Sequence, residues 1–127
     1  MLPIGSKLNS DLPARQLRGL LKGNVLHDRG SRLLFSTDAS IYRIVPLLVV
    51  QPIDCDDVVR TVLFANETHI PIAPRGAGTG LAGESLTPGI VLDFSRFMTR
   101  IDDEAEEASV VVAEAGAILD SVSAARS

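Results

Sequence analysis

Apolar positions along this chain fall into short blocks of two periods, and the switches between them predict the elements. "SDLPARQLRGLLKG" places Leu17, Leu20 and Leu21 at i, i+3 and i+4, the spacing of one helical face. Ser10 or Asp11 can cap that helix, Pro13 is tolerated in its first turn, and Gly23 can stop it. "PLLVVQP", Pro46 to Pro52, is a compact apolar run bounded by prolines and predicts a buried strand. "DCDDVVRTVLFANETH" returns to helical spacing. Asp54 can cap it, Asp56 and Asp57 suit the positive end of its dipole, and Val58, Val59, Val62, Leu63 and Phe64 form one apolar stripe. "IPIAP" (Ile70 to Pro74), "GIVLDFS" and "SVVVAEAG" predict three more strands, and "AILDSVSAARS" a last helix.

Other stretches keep no period. Met1 to Asn9 reads as a loose tail. "NVLHDRGSRLLFSTDASIYRIVP" mixes turn formers with apolar residues and predicts irregular chain, with a short helix or turn around Arg29 to Phe35. "DDEAEEA" carries consecutive rather than convergent carboxylates, which predicts a solvated hairpin turn and not a metal site. The resulting order is β-α-β-loop-β-β-α. A helix between the first two strands favours a parallel, right-handed β-α-β unit. The later strands are expected to join through a hairpin, so the fold class is α+β, a mixed α/β arrangement.

Composition narrows the function. The chain has 127 residues, 46% hydrophobic and 22% charged, which suits one core-forming domain or part of a larger one. The net charge of −4 disfavours a broad nucleic-acid or anionic-membrane footprint. The longest dense apolar run, Ile44 to Val50, is far short of the roughly 20 residues that span a bilayer. No basic stretch followed by an apolar one opens the chain, so no signal peptide is expected. The single cysteine, Cys55, sits among acids that disfavour its thiolate. It reads as a helix-start residue in a reducing, cytoplasmic protein.

The candidate chemistry lies in "PIAPRGAGTGLAGESLTPGIVLD", which holds Gly76, Gly78, Gly80, Gly83 and Gly89, five of the ten glycines. Gly78 to Gly83 spells G-x-G-x-x-G. The nicotinamide fingerprint needs a helix directly after that turn and an acid roughly 20 residues on. Asp93 approximates the acid, but only "ESLTPG" separates Gly83 from Ile90, with no room for a crossover helix. A P-loop fails as well, because Glu84 stands where the lysine should be. Two readings remain: a mobile surface turn, or a helix-free nest in which closely spaced glycines turn backbone amides toward one anion, which the many small residues directly after a buried strand favour. Ala77 and Ala82 keep its surface small and Thr79 offers a hydroxyl. Arg75 offers either a positive charge for the ligand or an ion pair with a nearby acid.

"TDASIYRIVPLLVVQPIDCDDVVRTVLFANETHIPIAPRGAGTGLAG" resembles the start of the FAD-binding domain in the vanillyl-alcohol oxidase / p-cresol methylhydroxylase (PCMH) flavoprotein superfamily. The branch it looks like is the FAD-linked 2-hydroxy acid dehydrogenases, with glycolate oxidase flavin subunits and D-lactate dehydrogenases. "STDASIY" and "RGAGTGLAGESLTPGIVLDFSRFM" resemble its larger, iron–sulfur-carrying versions. The resemblance runs from about Gly23 to the end. It implies residues 1–22 as an N-terminal tail and helix. It implies residues 23–127 as a partial PCMH-type FAD-binding domain: a first α/β subdomain and an incomplete second one.

The same resemblance implies that Arg75, Gly76, Ala77, Gly78, Thr79, Gly80 and Leu81 contact the FAD pyrophosphate, with Gly83 closing the turn. Covalently flavinylated members often carry histidine where Thr79 stands, which implies non-covalent FAD here. "VVVAEAGAILDSV" resembles the next segment, except that Glu114 replaces an expected small residue or proline. The implied activity is hydride transfer from a 2-hydroxy acid to FAD, then onward to an electron acceptor. Substrate domain, catalytic base and any iron–sulfur ligands are expected beyond Ser127, so no catalytic residue is assigned and the fragment alone is expected to be inactive. The competing reading is a non-catalytic or truncated interaction module, self-associating through uncovered sheet faces and holding no flavin by itself.

Overall fold

The computed structural model describes residues 9–102 and 110–125. The elements in chain order are α1 (Asp11–Leu20), β1 (Asn24–Leu26), α2 (Arg29–Leu34), β2 (Leu48–Gln51), α3 (Cys55–Thr68), β3 (Ile72–Arg75), β4 (Ile90–Asp93), β5 (Ile101–Asp102), β6 (Val112–Ala113) and α4 (Leu119–Ala124). The mixed α and β class holds. Four strands form one sheet in the order β1-β2-β4-β3, and β5 pairs with β6 in a separate two-stranded ladder.

The strand order corrects the sequence reading in one respect. The crossover through α3 does deliver β3 parallel to β2, but β4 lies between them, pairing Val49 with Val91 on one side and Ala73 with Val91 on the other. The reason is compositional. Ile90, Val91, Leu92 and Asp93 are all buried, as are all four residues of β2, and a strand apolar on both faces belongs at the centre. β3 contains Pro74 and two half-buried positions, which suits an edge. A second correction is β1, three residues in the segment read as irregular, which adds antiparallel to β2. A third concerns the hairpin. Its antiparallel partners are β5 and β6, Ile101 opposite Ala113, not the strand "GIVLDFS". Of the proposed turn, residues 102–108, Asp102 ends β5 and the rest lies outside the described residues.

The helix α3 starts where expected, because the Asp54 carboxylate accepts from the Asp57 amide at 3.0 Å. It ends in a left-handed cap at His69, φ 55°. Its buried face keeps only Phe64 of the predicted stripe, with Val58 partly buried against the core. Asp57, Thr61, Phe64 and Ala65 face inward, while Val59, Val62 and Leu63 are exposed. Polar residues can line the inner face because each has its partner: the Thr61 hydroxyl donates to the Asp57 carbonyl at 2.7 Å. Ala14 and Leu17 of α1 and Phe64 and Ala65 of α3 join Val25, Leu48, Val50, Ile90 and Leu92 in one core cluster. Leu20, predicted to share that face, is exposed.

The two helices are tied by Asp57. Its carboxylate accepts from the amides of Lys22 and Gly23 at 2.9 Å each and of Ile53 at 3.1 Å. Lys22 also forms an ion pair with Asp54, the cap of the same helix. Three convergent amides satisfy a fully buried carboxylate that would otherwise be costly to desolvate. No described helix is long and apolar enough to cross a membrane.

Candidate functional site

β2, β4 and β3 run parallel, so their carboxyl ends stand side by side as Gln51, Asp93 and Arg75. In open α/β sheets, ligands bind outside such ends. The glycine loop leaves this edge after Arg75 and returns at Ile90 without a regular helix. The loop's backbone turns sharply at Gly78, φ +70°, and at Gly83, φ +78°, values that side-chain-bearing residues rarely adopt. Around the first turn, the amides of Gly76, Ala77, Gly78, Thr79, Gly80 and Leu81 donate to no acceptor among the described residues. Ala77, Thr79 and Leu81 are exposed, and Gly76, Gly78 and Gly80 half-buried. The row of donors is therefore open to a ligand, which is the condition for an anion nest.

The carboxylates around the edge have distinct roles. Asp93 is 1% exposed. One of its oxygens accepts from the Gln51 side-chain amide at 2.9 Å, the other from the Ser95 amide and hydroxyl at 3.0 and 2.7 Å. Thus the acid that approximated a ribose ligand has its oxygens engaged inside the sheet, an independent argument against the nicotinamide fingerprint. Glu84 folds back onto the loop. Its carboxylate accepts from the Ala82 amide at 3.1 Å and occupies the space that a Cβ on Gly80 would need.

Arg75 folds back beside the loop, with its guanidinium 2.6 Å from where a Cβ on Gly78 would stand. It donates to the Thr37 carbonyl at 2.9 Å, and its guanidinium carbon stands 5.3 Å from the centre of the Phe35 ring. The segment Phe35 to Tyr42 thereby becomes one wall of the site. Its Ala39 amide donates to the Gly78 carbonyl at 3.0 Å. Sequence reasoning missed this wall because the segment has no period, although "STDASIY" carried part of the resemblance.

The second segment of the resemblance reaches the same place. A Cβ on Gly76 would lie 3.8 Å from the Ala115 carbonyl. Glu114, the residue that departed from expectation, grips Arg100. Its carboxylate accepts from the Arg100 amide at 2.9 Å and guanidinium at 2.8 Å, and its own amide donates to the Arg100 carbonyl at 2.8 Å. That grip holds the Glu114 carboxyl below its ordinary range. Elsewhere, His27 lies between Arg18 and Asp11. His69 opens a shallow groove of about 450 Å³ with Val62, Ile70 and Ile72, at the end of β3 opposite the loop. Cys55 is exposed in the first turn of α3. Among the described residues, no group of three His, Cys, Asp or Glu is placed to hold a metal ion.

This geometry agrees with what known proteins resemble the chain. A family profile described as FAD binding domain matches residues 46–126. D-2-hydroxyglutarate dehydrogenase of Pseudomonas putida is 39% identical over 107 residues, covering 82% of this chain and 11% of that protein. Glycolate oxidase subunit GlcD of Escherichia coli K12 is 35% identical over 81 residues, 61% of this chain and 16% of that protein. The chain thus spans about a tenth to a sixth of the length of these curated relatives. In fold, it matches 6-hydroxy-D-nicotine oxidase from Arthrobacter nicotinovorans with a TM-score of 0.68, over 80% of this chain and 23% of that one, at 22% identity. The resemblance read from the glycine loop, to the vanillyl-alcohol oxidase / PCMH superfamily, is borne out.

Proposed function

The chain belongs to the FAD binding domain family, and on that premise we propose that its glycine loop holds the FAD pyrophosphate in the flavin domain of a 2-hydroxy acid dehydrogenase. One observation carries the reading: six consecutive amides, Gly76 to Leu81, have no acceptor within the described chain and stand at the carboxyl ends of three parallel strands. A pyrophosphate supplies the acceptors such a row lacks. Thr79 adds a hydroxyl donor, Gly78 and Gly83 set the two turns, and Ala77 leaves room for the ligand to approach. In this reading residues 23–127 are the partial flavin domain. Residues 1–22 are an extension whose helix docks on it through Ala14 and Leu17.

When bound, the flavin supplies the redox chemistry, accepting a hydride from the α-carbon of the substrate. This chain supplies binding and orientation. No side chain at the loop is placed as acid or base: Asp93 is engaged by Gln51 and Ser95, and Glu84 by Ala82. Catalytic residues, substrate selection and the electron acceptor belong to other parts of the enzyme, and the isolated segment is inactive. Thr79 is not a histidine, so the cofactor is held without a covalent link.

The test is reconstitution of the full-length protein. The parent purifies with flavin that acid precipitation releases into the supernatant. Gly78→Asp combined with Thr79→Val sets a carboxylate and a methyl among the amides, and flavin is lost while the circular dichroism spectrum is kept. Stoichiometric FAD retained by that variant sinks the assignment.

A further inference from the structure

The glycine loop has almost no structure of its own. Within it, the Leu86 amide donates to the Gly83 carbonyl at 3.1 Å, and Glu84 takes the Ala82 amide. Its shape must come from what it leans on: Leu47 holds the Pro88 carbonyl near its end, and the segment Phe35 to Tyr42 holds its glycine run.

That segment is itself fixed at its base. The Ile44 amide donates to the Ser36 carbonyl at 2.9 Å, the Ser36 hydroxyl donates to the Leu33 carbonyl at 2.6 Å, and Thr37 bridges Arg43. At its tip, one oxygen of Asp38 accepts from the Ser40 amide at 2.8 Å. The other accepts from the hydroxyl of Ser85, 47 residues away and buried. Ala39 donates to the Gly78 carbonyl, Arg75 reaches back to the Thr37 carbonyl, and the Tyr42 ring sits 2.8 Å from where a Cβ on Gly83 would stand.

These ties share a direction. Each engages a side chain, a carbonyl or the Cα face of the loop, and none engages an amide between Gly76 and Leu81. With the Gly78 carbonyl held against Ala39, the loop's acceptor side faces the chain and its donors are left for a ligand. We propose that Asp38 is a positioning residue for the cofactor nest, holding the Phe35–Tyr42 segment against the glycine loop through Ser85, and that Arg75, lying between Thr37 and Gly78, staples the same contact. This rests on the flavin reading above. It differs from that reading in assigning Arg75 and in adding a residue 37 positions before Arg75.

The experiment compares full-length variants by FAD affinity, measured by fluorescence quenching of the apoprotein, and by melting temperature. Asp38→Ala is expected to weaken FAD about fivefold to tenfold, the equivalent of about one ordering hydrogen bond, with the melting temperature nearly unchanged. Asp38→Asn restores affinity, because its carbonyl still accepts from Ser40 and its amide can donate to the Ser85 hydroxyl. Ser85→Ala reproduces the loss without touching Asp38 and covers the case in which Asp38→Ala does not fold. A purely structural lesion at Asp57 serves as the opposite control: Asp57→Asn lowers the melting temperature and leaves FAD affinity below the melt intact. Affinities of Asp38→Ala and Ser85→Ala within twofold of the parent, or no rescue by Asp38→Asn, overturn the brace. A parent that takes up no FAD, with Gly78→Asp indistinguishable from it, overturns the flavin reading itself and with it the brace.

Discussion

Two places in this molecule set backbone amides close together, and they have opposite outcomes. At Asp57, three amides from Lys22, Gly23 and Ile53 close on a carboxylate that the chain supplies. At the glycine loop, six consecutive amides from Gly76 to Leu81 have no acceptor among the described residues. The donor chemistry is the same. The first set is spent on folding, fixing the turn after α1 to the start of α3. The second is left unspent at the carboxyl ends of parallel strands, where a ligand can complete it. Clustered amides alone therefore do not identify a binding site; a run of them without an internal acceptor points to one.

The largest expected effect breaks the closed site. Asp57→Ala leaves three amides without their acceptor in a buried turn, at a cost of about 3 kcal/mol or more. Asp57→Asn keeps one acceptor oxygen but turns an NH₂ toward amide donors, a cost of about 1–3 kcal/mol. Urea unfolding monitored by circular dichroism should rank Ala below Asn below the parent. Equal midpoints would mean that the clasp is not what joins α1 to α3.

The next effect sharpens the open site. Glu84 is the carboxylate that leans on the glycine run itself, against Gly80 and the Ala82 amide. An anion arriving at the nest meets its charge. Glu84→Gln keeps an acceptor for Ala82 and removes the repulsion, so FAD is expected to bind about threefold to tenfold more tightly at low ionic strength, with the gain shrinking as salt screens it. Weaker binding by this variant would mean that Glu84 organises the loop rather than competing at it.

The contrast between the two sites also explains what the sequence could disclose. The open site was legible because its requirement is local: many small residues in a row, with no room for a helix between Gly83 and Ile90. The helix α3 was legible for the same reason, since Asp54 and the amide it caps are three residues apart. The clasp was not. Asp57 looks like a dipole-favouring acid in a first helical turn, and nothing local says that two of its donors lie at Lys22 and Gly23. The stripe misled in part: Val59, Val62 and Leu63 are exposed, and Phe64 and Ala65 join the strands in the core once that clasp sets the helix's rotation. The insertion of β4 between β2 and β3 is a pairing choice that depends on both faces of β4 being covered. The brace was hidden because Asp38 and Ser85 are joined only through space.

The smallest effect separates the two sites by the source of their electrostatics. Asp54, beside the clasp, is held below the ordinary aspartate value of 3.8 chiefly by its hydrogen bond from Lys22, an ion pair. Asp38, beside the open loop, is held below it chiefly by Ser40, with Ser85 adding to the effect. Both carboxylates are favoured in the folded state. Their stabilising contribution is therefore fully present above pH 3.8 and is lost as pH falls through the lower folded values. Neither contributes a change between about pH 6 and 8. Salt should distinguish them. At about 1 M sodium chloride the depression at Asp54 is expected to shrink, because an exposed ion pair is screened. The depression at Asp38 should largely persist, because neutral donors supply most of it. Carboxyl carbon NMR titrations of the two residues at low and high salt make the comparison. If Asp38 proves as salt-sensitive as Asp54, then Arg75 acts on the brace mainly through its charge, and the staple it makes to Thr37 and Phe35 is secondary.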